Sequence, residues 1–284
     1  MCRLATSLFV FILVLFPLDV SYGQGKAAPY VEKGIKAYNK GALREARQHF
    51  ERAAKVQPSS LTAQFNLGQV LRELKDYNEA IEAFSRALII DSEHRGSLCN
   101  RGLLYQLTGR KDEALVDLDK ALEVAPNFVQ GYISRGFIHS DLGQREEALA
   151  DFSKAIELSP RSADAYFNRG VTYRQMGSLD AALADLSRAI TLSPTDHEAL
   201  LERGLVFQGL GRPKKALSDF DKAIELDHKS ASAYSHRGQI QIGLGLYAAA
   251  LADLGDAIRL DGQNFEAFLY RGHIFRIRNE TGRA

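Results

Sequence analysis

Residues 163–196, ADAYFNRGVTYRQMGSLDAALADLSRAITLSPTD, form a block of 34 residues that recurs along most of the 284-residue chain. Counting Ala163 as place 1, glycine at place 8 returns at a constant interval as Gly34, Gly68, Gly102, Gly136, Gly170, Gly204, Gly238 and Gly272. Alanine returns at place 20 as Ala46, Ala80, Ala114, Ala148, Ala182, Ala216, Ala250 and Ala284. A second alanine series, at place 27, consists of Ala53, Ala87, Ala121, Ala155, Ala189, Ala223 and Ala257. A fixed period of this length, without insertions, predicts a solenoid of repeated structural units.

Each block predicts two helices, helix A over places 1–14 and helix B over about places 17–31. The apolar residues of the fourth block show the helical period, with one stripe in each half: Tyr132, Gly136 and His139, then Leu149, Phe152 and Ile156. The glycine and alanine series let the two helices cross closely, because a larger side chain would hold their axes apart. A mid-helix glycine such as Gly170 costs about 1 kcal/mol relative to alanine, so closer packing must offset that cost.

The turn between the two helices carries glycine at place 15, which favours the left-handed conformation that ends a helix. These glycines are Gly41, Gly109, Gly143, Gly177, Gly211 and Gly245. Pro29 and Pro213 are predicted to lie in the first turn of a helix, where the backbone N–H makes no intrahelical hydrogen bond and its absence has no cost. Ser178 is predicted to cap helix B of its block.

The spacing of these columns resembles the tetratricopeptide repeat. The resemblance covers Ala27 to Asn264 as seven units (27–60, 61–94, 95–128, 129–162, 163–196, 197–230 and 231–264), with a partial eighth unit over residues 265–284. It implies an all-α fold, an α-solenoid in which antiparallel helix pairs stack into a right-handed superhelix with a concave groove. The chain departs from the family pattern in having no tryptophan and in placing tyrosine or phenylalanine at place 4. Proline also occupies place 32 only at Pro58, Pro126, Pro160 and Pro194.

Residues 1–23 lie outside the repeat pattern and are typical of a secretory signal peptide. Arg3 precedes an unbroken apolar run from Leu8 to Leu18, and Ser21-Tyr22-Gly23 provides small residues before Gln24. The alternative is an uncleaved membrane anchor, although the run is short for a bilayer core of about 30 Å. We therefore expect an exported protein, periplasmic, lumenal or extracellular, with a linker over residues 24–26 and no membrane span once the signal is removed.

Composition argues against several classes of function. The net charge is +1, with basic and acidic residues interleaved, so no basic stripe for nucleic acid is expected. No pair of histidines has metal-ligand spacing, and the motifs of serine hydrolases, P-loop proteins and Cys-x-x-Cys oxidoreductases are missing from the sequence. Cys99 is the only cysteine outside the leader. We expect no enzyme activity, no metal and no cofactor.

Arginine at place 7 and aspartate at place 23 occur together from the third unit onward. The arginines are Arg101, Arg135, Arg169, Arg203 and Arg237, with a further one at Arg271, and the aspartates are Asp117, Asp151, Asp185, Asp219 and Asp253. We expect Arg–Asp ion pairs, either within one unit or from an aspartate to the arginine of the following unit. Such pairs would disfavour slipped stacking more than they would add stability. Binding of a ligand carboxylate is the less favoured interpretation.

The family resemblance also implies which residues line the groove, through places 2, 5, 9, 12 and 13 of helix A, with place 6 at its edge. The apolar residues implied are Phe65, Leu103, Ile133, Phe137, Phe167, Val171, Leu201 and Leu205, with Cys99 beside them. The polar residues implied are Gln69, Arg72 and Arg174. A concave apolar strip with a few polar groups is a plausible binding surface. The alternative is that some of these side chains only pack against the adjacent helix A.

Asparagine at place 6 occurs at Asn66, Asn100 and Asn168. This looks like the asparagine ladder with which some family members hold an extended peptide, and one amide offers both a donor and an acceptor to a peptide group. Glu202 and His236 interrupt the series. The lysine and asparagine clamp for chaperone C-termini has no counterpart, so binding of chaperone tails is not expected.

These patterns predict a scaffold or adaptor that binds a protein or extended peptide segment in its groove. One alternative is a lumenal or periplasmic co-chaperone that holds unfolded clients. Another is the substrate-recruiting or regulatory part of a longer enzyme chain. The residues from Phe265 onward predict one more helix A whose apolar Phe268, Ile274 and Phe275 require a neighbour, through self-association or a continuation of the array.

Overall fold

A computed structural model describes residues 18, 19 and 25–281, and the chain divides into two compact units after Gln144. Within the described residues the secondary structure consists of fifteen α-helices and no strand. The fold is therefore all-α, as the period predicts. Most of the expected signal peptide, residues 1–17 and 20–23, lies outside the described residues, as does Ala284.

The described residues of the first unit form seven helices joined by short turns. They are α1 (Ala28–Asn39), α2 (Leu43–Val56), α3 (Leu61–Glu73), α4 (Tyr77–Ile90), α5 (Arg95–Leu107), α6 (Lys111–Val124) and α7 (Val129–Asp141). Each of these helices packs against the next, and the A helices α1, α3, α5 and α7 also contact one another in succession.

The second unit contains eight helices with the same alternation. They are α8 (Arg145–Leu158), α9 (Ala163–Gln175), α10 (Leu179–Leu192), α11 (His197–Gly209), α12 (Pro213–Leu226), α13 (Ala231–Gly243), α14 (Tyr247–Leu260) and α15 (Phe265–Thr281). Here the A helices are α9, α11, α13 and α15, and each of the first three packs against its own B helix and contacts the next A helix. Both units are stacks of helix pairs, the architecture of an α-solenoid.

The glycine series makes room for a large side chain at place 24 of the same repeat. A Cβ atom added at Gly34, Gly68 or Gly204 would lie 2.5–2.8 Å from a phenylalanine ring carbon. At Gly170 and Gly238 the obstructing atom belongs to a leucine, at 2.9 and 3.0 Å. The place-24 side chains are fully buried: Phe50, Phe84, Leu118, Phe152, Leu186, Phe220 and Leu254. Both alanine series are also fully buried wherever the structure describes them.

The turns at place 15 adopt positive φ, as the glycines predict. The six glycines have φ between 66° and 79°. The second repeat has Lys75 at this place, and it adopts the same conformation with φ 67°. A side chain with a Cβ is strained there, so the packing of α3 against α4 imposes the turn on a residue that does not favour it.

Most of the A helices begin with a capping side chain at place 34 of the preceding repeat, although Phe128 at that place does not cap α7. Ser60, Ser162, Asp196 and Ser230 each accept a hydrogen bond from a backbone N–H of the first turn, and the His94 ring does the same for α5. The prediction that Ser178 caps helix B of its repeat is wrong: Ser178 occupies the N-cap position of α10, but its side chain accepts no bond there. Pro29 and Pro213 lie in the first turns of their helices, as predicted.

The last helix, α15, has one buried and one exposed apolar side. Ile274 is fully buried in a cluster with Leu254 and Ala257, so the prediction that it requires a neighbour is wrong. Phe268 and Phe275 are 44% and 50% exposed, so these two rings do have an uncovered apolar surface, as predicted. Self-association through this helix stays a prediction. No helix among the described residues combines the length and apolar character needed to cross a bilayer.

Candidate functional site

The first unit presents an A-helix face formed by α3, α5 and α7, which we call the first face. It carries Phe65, Asn66, Gln69 and Arg72 from α3, Asn100 and Leu103 from α5, and Ile133 and Phe137 from α7. All of these residues are buried except Phe137, which is half-buried.

A dipeptide from the chain's own N-terminal segment lies on the first face. The backbone N–H of Asp19 donates to Asn66 Oδ1 at 2.8 Å, and Asn66 Nδ2 donates back to the Asp19 carbonyl at 2.9 Å. Thr62 Oγ1 donates to the Asp19 carboxylate at 2.6 Å. Leu18 is 7% exposed and belongs to the same apolar cluster as Phe65 and Val31. One asparagine amide thus pairs with both hydrogen-bonding groups of a residue outside regular secondary structure.

Asn100 uses its amide differently. Its Nδ2 donates to the carbonyl of Gly96 in its own helix at 2.7 Å, and its Oδ1 accepts from Arg72 Nη1. Arg72 also lies 4.0 Å from the Glu73 carboxylate, which accepts a hydrogen bond from the Tyr38 hydroxyl. Burial lowers the pKa of Arg72 to about 10, which still leaves it charged at neutral pH. This network fixes Arg72 and Asn100 in place.

Several residues that the sequence predicted to line binding pockets on the first face are buried inside the protein, so they cannot contact a ligand directly. The ring of Phe65 packs against Phe84 and His94, with centroids 5.8 and 4.9 Å away. Phe137 packs on Leu103 but keeps part of its ring exposed. Cys99 is fully buried, and burial raises the pKa of its thiol to about 12, so it is a filler of the core and not a nucleophile.

The second unit has an equivalent surface on α9, α11 and α13, the second face. Phe167 and Val171 are buried in a cluster with Leu186 and Val206. Leu201 and Leu205 are half-buried.

The polar groups of the second face also pair within the protein. Asn168 donates Nδ2 to the carbonyl of Asp164 in its own helix at 2.8 Å. Arg174 pairs with Glu202 at 2.6 Å. Arg174 and Glu202 occupy places 12 and 6 of successive repeats, the same places as Arg72 and Asn100 in the first unit. The sequence placed Arg72 and Arg174 in the groove lining and Asn100 in the ladder that Glu202 interrupts, and it did not predict that these side chains pair.

The arginines at place 7 pair with the aspartate of their own repeat, which decides between the two geometries left open by the sequence. Arg101, Arg169, Arg203 and Arg237 each make two hydrogen bonds to that carboxylate, at 2.7–2.9 Å. Each also reaches a side chain at place 25 of the preceding repeat: Ser85, Ser153, Ser187 and Asp221. Arg135 reaches Asp119 in the same way, at 2.7 Å. The place-25 residues were missed because serine and aspartate share that place irregularly with Glu51 and Gly255, so no single-residue column marks it.

The guanidinium groups of this series also lie over aromatic rings. Arg169 lies 5.8 Å from the ring centroid of Tyr166 and 5.9 Å from that of Tyr173, and Arg237 lies 5.6 Å from Tyr234. These guanidinium groups are thus engaged by carboxylates, hydroxyls and rings of this chain. The series ties each helix B to the next repeat, and it is a structural element rather than a ligand-carboxylate site.

Profiles of the tetratricopeptide repeat match residues 31–95 and 201–267, residues 97–128 and 163–196, and, as a further repeat profile, residues 138–177. The chain belongs to the tetratricopeptide repeat family. The family assignment made from the glycine and alanine columns is therefore confirmed.

Similar proteins support the same fold. A tetratricopeptide repeat protein from Parabacteroides merdae is 22% identical, covers 88% of this chain and 100% of its own, and superposes with a TM-score of 0.70. YrrB, whose structure is described as that of a TPR protein with an unusual peptide-binding site, is 23% identical over 65% of this chain and 95% of its own, with a TM-score of 0.54. An uncharacterized protein from Methanocaldococcus jannaschii is 38% identical over 66 residues, 23% of this chain and 77% of that protein.

The tetratricopeptide fold is that of a protein-interaction scaffold, and its members bind protein or peptide partners. In the part of the chain that the structure describes, histidine, cysteine, aspartate and glutamate side chains form no group of three suited to a metal ion.

Proposed function

We propose that this tetratricopeptide protein is a non-catalytic scaffold or adaptor that binds an extended segment of a partner protein on its A-helix faces. The observation that carries the proposal is the pairing of the Asn66 amide with both backbone groups of Asp19, at 2.8 and 2.9 Å. This is how a side-chain amide binds a peptide without reading its sequence, because every peptide unit offers the same donor and acceptor. The peptide-binding site stated for YrrB is consistent with this proposal.

We also propose that the protein is exported. The support is the pattern of residues 1–23, with Arg3 ahead of the apolar run Leu8 to Leu18 and small residues before Gln24. Expression in a secreting host, followed by N-terminal sequencing of the exported product, tests this. An exported chain that begins at Gln24 supports the proposal, whereas a chain retained in the cytoplasm with Met1 intact contradicts it.

Binding to the first face is tested by a substitution at the half-buried Phe137. Phe167, an obvious choice from the sequence, is unsuitable because it is only 3% exposed and Asp there would disrupt the core. We expect Phe137→Asp to weaken capture of peptides on a peptide array by about tenfold or more, since a charge replaces a partly exposed ring at the contact. The matched control is Val116→Asp on α6, which is 68% exposed and lies on a B helix of the same unit.

Circular dichroism establishes that both variants keep their helices. Loss of capture in Phe137→Asp but not in Val116→Asp supports the proposal, and equal capture by both contradicts binding on the first face. The peptide array also distinguishes the alternative functions. A scaffold selects one sequence motif, whereas a co-chaperone captures many apolar peptides weakly. For a recruiting module, the selected motif is one that occurs in the substrates of the joined enzyme.

A further inference from the structure

The contact made by Leu18 and Asp19 defines more than a general peptide-binding surface. Three separate groups touch the dipeptide: the Asn66 amide on the backbone, the Thr62 hydroxyl on the acidic side chain, and an apolar cluster around Leu18. Thr62 and Asn66 are 8% and 0% exposed, so both polar groups lie in a desolvated site. A buried polar group that lacks a partner destabilises the complex. The site therefore discriminates against peptides that cannot pair with Thr62 and Asn66.

The side-chain contacts add chemical selectivity to the backbone contacts. Asp19 accepts from Thr62 at 2.6 Å in the first turn of α3, where the positive end of the helix dipole favours an anion. His94 is close enough for Asp19 to raise its pKa, in opposition to the larger effect of burial. The residue before the acid must be apolar to occupy the position of Leu18 in the cluster with Phe65 and Leu71.

The other place-6 asparagines do not provide an equivalent site. Asn100 and Asn168 each donate Nδ2 to the carbonyl four residues earlier in their own helix, at 2.7 and 2.8 Å. Asn66 instead directs the same group to the Asp19 carbonyl. The position of Asn66 one turn after Thr62 in α3 therefore distinguishes this site from the rest of the series.

We propose that the Thr62–Asn66 site binds an extended peptide carrying an aliphatic residue followed by aspartate. In the precursor, Leu18–Asp19 occupies the site in cis and competes with partner segments until the signal peptide is removed. The inference rests on the proposed function, and it adds the ligand class and a means of control. Only five residues separate Asp19 from Gly25. A short tether gives an effective concentration of roughly millimolar, so a partner peptide must compete against the attached segment.

The test uses the uncleaved precursor, purified from the cytoplasm so that residues 1–23 are retained, and the fluorescein-labelled peptide PLDVSY, which reproduces residues 17–22. Fluorescence anisotropy measures its affinity for the wild-type chain and for the variant Leu18→Ser/Asp19→Ala. We expect the variant to bind the peptide at least about tenfold more tightly, because its own segment no longer competes. Equal affinity of the two chains overturns the cis occupancy.

Two further substitutions in the Leu18→Ser/Asp19→Ala background test the ligand class. Asn66→Ala should weaken binding of PLDVSY about tenfold, whereas the matched control Asn78→Ala, at an exposed position of the B helix α4, should leave it unchanged. Thr62→Val, which keeps the shape of the side chain, should weaken binding of PLDVSY severalfold and leave binding of PLAVSY unaffected. A Thr62→Val effect of the same size on both peptides overturns recognition of the acid.

Failure of this proposal is distinguishable from failure of the proposed function. If the array finds a motif that depends on Phe137 while PLDVSY does not bind, the ligand class is wrong and the scaffold function stands. If neither peptide set is captured and the helices are intact, both are wrong. Because Thr62→Val and Asn78→Ala are mild substitutions, a folded protein is available for the comparison even if Asn66→Ala unfolds.

Discussion

At the scale of single residues, the spacing of glycine is explained by the side chain that each glycine faces. Gly204 lies against the ring of Phe220, and a Cβ atom there would approach the ring to 2.5 Å. Gly272 occupies the same place of its repeat, but a Cβ atom there would meet nothing within 4 Å. Identical sequence positions therefore carry different structural requirements.

This contrast gives a matched pair of substitutions. We expect Gly204→Ala to lower the free energy of unfolding by about 1–3 kcal/mol, because overpacking outweighs the gain in helix propensity. Gly272→Ala should raise local stability by up to about 1 kcal/mol, since only the propensity changes. Urea denaturation followed by circular dichroism measures both. A stabilising Gly204→Ala would show that the close approach of α11 and α12 is not required.

At the residue scale, the sequence predicted the positions of the small residues but not the orientation of the asparagine amides. The recurrence of small residues identifies the close crossings in advance, because a fixed interval leaves few ways to pack. The sequence did not show which asparagine would turn its amide outward. That choice depends on whether an acceptor lies beside Nδ2, as the Gly96 carbonyl does for Asn100 and the Asp19 carbonyl does for Asn66.

At the scale of helices, we expect the start of α5 to respond to pH. The Nδ1 atom of His94 lies 2.7 Å from the Ser97 hydroxyl and 3.3 Å from the Ser97 backbone nitrogen, whose N–H it accepts as the cap. Burial lowers the pKa of His94 below its ordinary value of 6.5, while Asp91 and Asp19 raise it in part. The uncharged ring is therefore the form that caps the helix.

The sign of the pH effect follows from that lowered pKa. The unfolded chain takes up the proton more readily than the folded chain, so the free energy of unfolding falls as pH drops below about 6.5. We expect His94→Asn, which can still cap the helix but does not titrate, to reduce the loss of stability between about pH 7 and pH 5. The control is His228→Asn at an exposed turn residue. An unchanged pH profile in His94→Asn would contradict this role.

The ion pairs at place 7 act between helices. Asp219 is only 5% exposed and accepts two bonds from Arg203, each 2.8 Å long. We expect Arg203→Met to destabilise the protein by about 2–3 kcal/mol, because it leaves a buried carboxylate without its partner. Combining it with Asp219→Leu should recover most of that loss, since an apolar pair needs no desolvated charge.

A double-mutant cycle by urea denaturation measures this coupling. If the double variant is as unstable as Arg203→Met alone, the unpaired charge of Asp219 is not the cause of the instability. Arg203 then stabilises the fold through another contact. The partner at place 25, Ser187 at 3.4 Å from Arg203, would then be the next group to substitute.

At the scale of the whole molecule, we expect the repeats to differ in stability along the chain. The seventh repeat contains Gly243, Gly245, Gly255 and Gly262, and the structure places no atom within 4 Å of a Cβ at any of them. Gly243 and Gly255 lie within α13 and α14, and they lower helix propensity there without the compensating contact seen at Gly204 or Gly238. We expect the fastest amide hydrogen exchange between residues 243 and 262, measured by mass spectrometry and compared with residues 175–194 of the fifth repeat. Equal protection of the two segments would contradict this prediction.

The family, the alternation of helices and the buried small-residue columns all follow from the repeat period, because a 34-residue period of glycine and alanine permits only close helix pairs. The directions of the long polar side chains follow instead from tertiary packing. That packing pairs Arg203 with the aspartate of its own repeat, buries Phe65 and Phe167, and brings Asp19 to Asn66. The backbone and the small residues are determined by the local spacing of the sequence. A long side chain has several rotamers, and it adopts the one in which neighbouring helices provide its hydrogen-bonding or packing partners.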